Sequence, residues 1–431
     1  MKRKHDDDEI SLLAKVMIFF RTVWERIKRL KLRERFKLRQ MKLASYTGAN
    51  SPEESKISYY LGFTRVILAL LLALLVVVTL IFGGNAVSYD KIYYMIKDIS
   101  YVRSFSERAP EVLSYSKPLR SQSFAAFKNG LAVASDSELK LFTSTGRVTL
   151  TGGTEMSNPK MCVSDGYLLV YDQGRKSFAI YNSFVKLYSE KLKFNISGAD
   201  ISDNGVFLIV TSSEEYASVI KVYNNDFSSL FEYKKNDYVI SAKLSNDGHY
   251  AAVLSMSAEN GESVTMLNVI DCKRNKKISS KKFKGSMPYR CDFLTDGRIC
   301  VFLDEEVYVL NRNCDVKGSF EYLSTPEKID VYKDGFAIVF SESENGEKVV
   351  SVFDSECRMK RSGRVRGNVY DMKLSDGYVY ILQNGKLVRC GTSIGLTDSV
   401  SVADGTTSLV IFKDGEVAAC TQSTATYISF D

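Results

Sequence analysis

AKLSNDGHYAAVL, residues 242–254, is the stretch whose reading sets the architecture of this 431-residue chain. Two runs of apolar and polar residues in alternation meet at Asp247-Gly248. Asp or Asn tolerates the positive φ of a tight hairpin and Gly takes it freely, so the stretch reads as two antiparallel strands joined by a short turn. The same unit recurs as AAFKNGLAVA, MCVSDGYLLVY, ADISDNGVFLIV, CDFLTDGRICVF, IDVYKDGFAIVF, MKLSDGYVYIL and LVIFKDGEVAAC. Its glycines are Gly130, Gly166, Gly205, Gly248, Gly297, Gly335, Gly377 and Gly415, at intervals of 36 to 49 residues. A two-residue type I′ turn is expected at each.

Working outward, a third alternating strand follows the hairpin, as at Ser177 to Tyr181, Val219 to Tyr223, Val264 to Ile270, Val307 to Leu310 and Val349 to Phe353. A more polar fourth strand such as KLYSEKLKF comes next. Four antiparallel strands every forty or so residues make the blade of a β-propeller, stable only against its neighbours in a ring. The expected fold is all-β and eight-bladed, with seven blades as the alternative. The last unit has its hairpin around Gly415 and a third strand from Ala425 to Phe430, but no outer strand follows. Glu111 to Leu119 has the character of that missing strand and is expected to complete the final blade.

Before the repeats, Val66 to Phe82 reads VILALLLALLVVVTLIF, seventeen residues without a charge. As a helix it is about 25 Å long, close to the thickness of a bilayer core. Tyr59, Tyr60, Tyr89, Tyr93 and Tyr94 stand where an aromatic belt lies, and Arg65 is placed to snorkel. Residues 1–64 carry fifteen Lys and Arg against eight Asp and Glu, which accounts for the whole net charge of +7. Basic charge is retained on the cytoplasmic side, so the amino terminus is expected inside and the carboxy-terminal region outside. The long preceding region favours an uncleaved signal anchor over a cleaved signal peptide, for which Gly84 and Ala86 are the small residues available. Because charge balances beyond residue 64, nucleic acid is not an expected partner of the large domain.

The expected organisation is therefore a cytoplasmic tail (1–64), a transmembrane helix (65–84), an extracytoplasmic stem (85–110) and a propeller (111–431). Within the tail, residues 10–43 space Leu13, Met17, Phe20, Trp24 and Ile27 on one helical face among basic residues. That pattern suits either the anionic inner leaflet or a partner helix. His5 beside Asp6, Asp7, Asp8 and Glu9 reads as a solvated end rather than a metal site. Ser88 to Phe105 again spaces apolar residues helically, with Ser88 as N-cap.

Candidate chemistry is sparse. His249 follows the turn at Gly248 and reads as an ordinary strand residue, since a general base needs a polar partner within reach. GTSIG, residues 391–395, matches the spacing of a nucleophile elbow around Ser393, but that motif needs a strand-to-helix turn absent from these repeats. Asp203, Asp247, Asp296, Asp334, Asp376 and Asp414 are explained by hairpin geometry, without the alternating carboxylates of a calcium loop. The eight cysteines, Cys162, Cys272, Cys291, Cys300, Cys314, Cys357, Cys390 and Cys420, all follow the apolar run. Four stand at equivalent ends of third strands, splayed apart around a ring, so mostly unpaired, half-buried thiols are expected. No cofactor and no metal is expected.

The basic amphipathic tail, the span VILALLLALLVVVTLIF and the eight hairpins together resemble a bacterial family of single-pass membrane proteins bearing an uncharacterised propeller domain. Hairpins such as LSNDGHYAAVL and LSDGYVYIL look like those of WD40-like and TolB-like propellers, although the Trp-Asp pairs of true WD40 repeats are absent. The resemblance implies location and fold, and it transfers no catalytic residue. The expected function is a noncatalytic interaction scaffold or sensor at the cell envelope, binding an envelope protein or polymer. The alternative is an extracytoplasmic glycan-active hydrolase or lyase with paired carboxylates in the channel.

Overall fold

The computed structural model describes residues 112–430 apart from 129, 342–345, 392–393, 395–396 and 413–414. The tail helix of residues 10–43, the apolar run from Val66 to Phe82 and the stem lie outside the described residues. Among the described residues no helix is long and apolar enough to cross a membrane.

Thirty-two strands form eight four-stranded antiparallel sheets, so the described chain is an eight-bladed propeller. Seven blades are consecutive, running from Gln122–Phe127 through Thr397–Ser401. The eighth takes three strands from the carboxy terminus, Ser408–Ile411, Val417–Cys420 and Thr424–Ile428, and its outer strand, Val112–Ser114, from the beginning of the ring. That strand is shorter than the expected Glu111 to Leu119. After Ser114 the backbone turns away toward blade one, and Tyr115 keeps a single ladder-like bond from its N–H to Ser423 O at 2.9 Å.

Burial follows position in the blade. Second strands are covered on both sides by neighbouring blades, and Leu168–Asp172 and Ile299–Leu303 are buried at every residue. Outer strands such as Lys276–Lys284 alternate between exposed and part-buried residues, because one face meets solvent. Eight apolar clusters result, one between each pair of adjacent blades. Between blades two and three Phe207 stacks on Tyr223 with centroids 4.6 Å apart. The closing interface between blades eight and one is of the same kind. Leu113, Tyr115, Phe412 and Cys420 meet Leu131, Val133 and Phe142 there.

The hairpins depart from a uniform type I′ turn. Among the described residues of these repeat hairpins, only at Asp376-Gly377 do both residues of the pair have positive φ, 43° and 85°, joining Ser375 directly to Tyr378. In blade three Ser202 N–H bonds Val206 O and Gly205 N–H bonds Ser202 O, which leaves a three-residue loop whose last residue, Gly205, is left-handed. At Gly130 and Gly335 the glycine already belongs to the second strand, and the positive φ falls on Lys128 and Lys333 instead. Glycine is required at Gly130 for another reason: a Cβ there would lie 1.9 Å from Phe142 O of the adjoining strand.

Candidate functional site

The innermost strands of neighbouring blades adjoin around a central channel. A polar girdle ties them together. Asp200 accepts a hydrogen bond from Lys243 Nζ at 3.0 Å and another from Leu244 N–H at 2.8 Å, both on the next blade. Asp330 and Asp371 repeat the device, accepting from Leu374 N–H and Leu409 N–H, each at 2.8 Å. Between blades five and six, Arg290 pairs with Asp292 at 2.6 Å and reaches Ile329 O at 3.2 Å. The Asp200 carboxylate beside Lys243 raises that amine's pKa despite its desolvation. At Asp330 burial is the largest influence and raises the carboxyl, against the lowering effects of Lys373 and the Leu374 N–H.

One end of the channel is formed by the links between second and third strands and by the links from each outer strand to the next innermost strand. Near this end the ladder is interrupted between Val239 and Ser241 and between Pro288 and Arg290. Each bulge takes one residue out of register, so Ile240 and Tyr289 are exposed rather than paired. Tyr238 and Met287 stand beside them in sequence, Tyr238 being 66% exposed, and Tyr370 is exposed at the same end of blade seven. Four of them lie on the adjoining blades four and five, and none of the five comes from blade six. Ile240 also lines a cavity of about 340 Å³ between the innermost strands of blades one to four, together with Ser123, Lys160, Cys162, Gln173, Ser241 and Lys243.

The cavity's two cations differ. Lys243 is neutralised by Asp200, whereas Lys160 has no hydrogen-bond or ion-pair partner among the described residues. Ser123 Oγ is buried there without a partner. Cys162 donates its thiol to Ala199 O at 3.1 Å, and burial pushes its pKa up to about 12, so it is no nucleophile at neutral pH. None of the residues lining this cavity is a carboxylate, whereas glycoside hydrolysis uses two.

The residues singled out in the sequence lie elsewhere. His249 stands in the turn just before the strand Tyr250–Glu259, not inside it, and its Nδ1 is 3.1 Å from Asp247 Oδ2. Asp247 is itself bound by Ser245 Oγ at 2.6 Å, a hairpin-stabilising pair. The turn aspartates also join neighbouring hairpins: Asp203 accepts from Asp165 N–H at 3.2 Å, and Asp376 from Lys333 Nζ at 2.5 Å. Among the described residues no three His, Cys, Asp or Glu side chains cluster as a metal site would. Ser393 and Asp414 lie outside the described residues. All eight cysteines are free thiols, seven of them buried rather than half-buried.

Tyr238, Ile240, Tyr289 and Lys160 were not visible as a group in the sequence. Their one trace is YVISAKL, where apolar Val239 takes the phase of Ser241 and Lys243, a break in the alternation at which the bulge turns Ile240 outward.

Residues 110–429 match the signature of a family of unknown function (DUF5711). The chain belongs to this DUF5711 family. No curated protein matches it. Among solved structures, this DUF5711 chain is similar to BamB from Moraxella catarrhalis, with a TM-score of 0.51 and 12% identity over 74% of this chain and 98% of that one. It is also similar to the C-terminal WD40 domain of Sif2, with a TM-score of 0.55 and 11% identity over 76% of this chain and 100% of that one. At such identities the likeness speaks for the fold of the DUF5711 domain alone.

Proposed function

We propose that this protein is a membrane-anchored, extracytoplasmic propeller that works as a noncatalytic interaction module at the cell envelope. The observation that carries the module reading is the group of exposed Tyr238, Ile240, Met287 and Tyr289 on adjoining blades four and five at one channel mouth. Soluble domains seldom present large apolar side chains side by side unless another molecule covers them. A rigid ring with eight closed interfaces holds that group in place without help from a ligand.

The anchoring part of the proposal rests on the uncharged run Val66 to Phe82 and on the basic tail before it. A cytoplasmic helix of residues 10–43 at the inner leaflet extends the same reading, and a signal passed from ring to tail is its sensor form.

The test is made in intact cells on the full chain. A membrane-impermeant lysine cross-linker is expected to trap specific adducts, and external protease to digest the ring while sparing an epitope at the amino terminus. Digestion of that epitope in unbroken cells sinks the topology. Adducts that are no more specific than those of an unrelated anchored domain sink the module.

A further inference from the structure

We infer that the channel mouth spanning blades one to five binds an extended peptide segment of a partner, in which an acidic group sits beside large apolar side chains. This rests on the interaction-module reading and names the site and the ligand chemistry within it.

Two features that touch at Ile240 lead to it. The first is the cavity holding Lys160, an ammonium without a counter-charge among the described residues, and Ser123, whose hydroxyl is buried without a partner. Elsewhere along the innermost strands the cations Lys243, Arg290 and Lys373 have an Asp within 4 Å. Lys160, like Lys328 on blade six, has no such partner among the described residues, but Lys160 lines the cavity, and a carboxylate entering there supplies one. The second is the aromatic and aliphatic arc that leads from Ile240 and Tyr238 on blade four to Met287 and Tyr289 on blade five. A small free anion fills the cavity and leaves that arc bare. A peptide covers both, because a carboxylate and neighbouring apolar side chains follow one another along an extended chain at about 3.3 Å per residue. Tyrosines suit the task, offering a large rigid face and a polar tip.

The experiment uses the full chain in lipid nanodiscs and, as probe, random peptides displayed on phage with free carboxy termini. Enriched peptides are expected to carry Asp, Glu or the terminal carboxylate within a few residues of Leu, Ile, Phe, Tyr or Trp. As synthetic peptides they should lose at least tenfold in affinity on Lys160→Glu and on Tyr289→Ser. Lys160→Arg and Tyr289→Phe should retain binding, and so should Ile278→Ser, on the outer strand of blade four. Thermal unfolding of each variant excludes loss through misfolding, and the two conservative variants supply the readout if the others unfold.

No enrichment over empty nanodiscs overturns the inference. So does binding indifferent to Lys160→Glu, or weakened equally by Ile278→Ser. Competition by acetate regardless of the peptide's apolar residues identifies a small-anion site and overturns it too. If cellular cross-links instead form through the outer strands or the opposite face, the module reading stands and the mouth assignment falls.

Discussion

The Tyr115 hydroxyl donates to the carbonyl oxygen of Thr424 at 2.7 Å, across 309 positions of sequence, and lies 3.0 Å from that of Thr421. Its ring packs on Phe124 of blade one at 5.8 Å between centroids. One side chain thus holds the two ends of the ring and the first interface together. Tyr115→Phe should lower unfolding free energy by about 0.5–1.5 kcal/mol, since the part-buried carbonyls of Thr421 and Thr424 lose a donor. Tyr115→Ala should cost about 3–5 kcal/mol through the cavity it leaves. Burial, with Cys420 nearby, raises the phenol's pKa. A raised folded-state value means the protonated form is favoured by folding. This contribution is intact below about pH 10 and is lost as pH climbs through the folded value. Urea titrations from pH 8 to 11 should show the alkaline loss reduced in Tyr115→Phe.

The polar girdle predicts an order of effects. Asp200 holds Lys243 at 3.0 Å, while Asp330 is 3.7 Å from Lys373 and has its carboxyl raised by burial. The first pair earns more from charge than the second. Asp200→Asn should therefore destabilise by about 2–4 kcal/mol, below the full figure for a buried pair because Lys243 is about a third exposed. Asp330→Asn, which keeps an acceptor for Leu374 N–H, should cost less. The raised Asp330 carboxyl adds stability below about pH 4 that is lost as pH rises through its folded value. The gap between the two variants in denaturant midpoint should accordingly be wider at pH 7 than at pH 4.

The parts of this architecture that local sequence reveals are those that local physics determines. Strand pairs around Gly205, Gly297 and Gly377 are legible because two-period alternation and turn chemistry act within a dozen residues. Closure by the segment before blade one is legible from a deficit, since the final unit lacks an outer strand. The turn geometries are less so, because Lys128 and Lys333 carry the positive φ that composition assigns to glycine. The channel mouth is hidden, as Ile240 and Tyr289 are turned outward by bulges that depend on pairing with a neighbouring strand. The inter-blade roles of Asp200, Asp203 and Asp376 are hidden for the same reason: their partners are about forty residues away.

Glycines of different kinds should respond differently to alanine. Gly130→Ala places a Cβ 1.9 Å from a backbone oxygen that cannot move alone, so it should exceed the about 1–3 kcal/mol of ordinary overpacking. Gly377 has open space but a φ of 85°, so Gly377→Ala should cost about 1–2 kcal/mol of backbone strain. Gly152, with neither constraint, should tolerate alanine almost unchanged. Thermal melts of the three variants give the order directly, and a Gly130→Ala protein as stable as the parent would contradict the packing described between blade one's second and third strands.

The cysteines give the last prediction. Burial raises the pKa of Cys162, Cys272, Cys291 and Cys357 to about 12, and that of Cys300 well above the ordinary thiol value. Reaction with a maleimide requires thiolate and access; burial suppresses the first at pH 7.5, and the second is offered at Cys162 alone. Fewer than one label per chain should appear in native protein over a period in which all eight thiols react in guanidinium. Cys162 should lead among those that react, since it alone is part-exposed and lines the channel cavity. Its labelling should also report on the mouth: a peptide seated over Lys160 is expected to slow it, while leaving Cys300 unchanged. Mass spectrometry of tryptic fragments resolves the sites, and rapid native labelling at Cys300 or Cys291 would show that the blades are far less tightly closed than their packing implies.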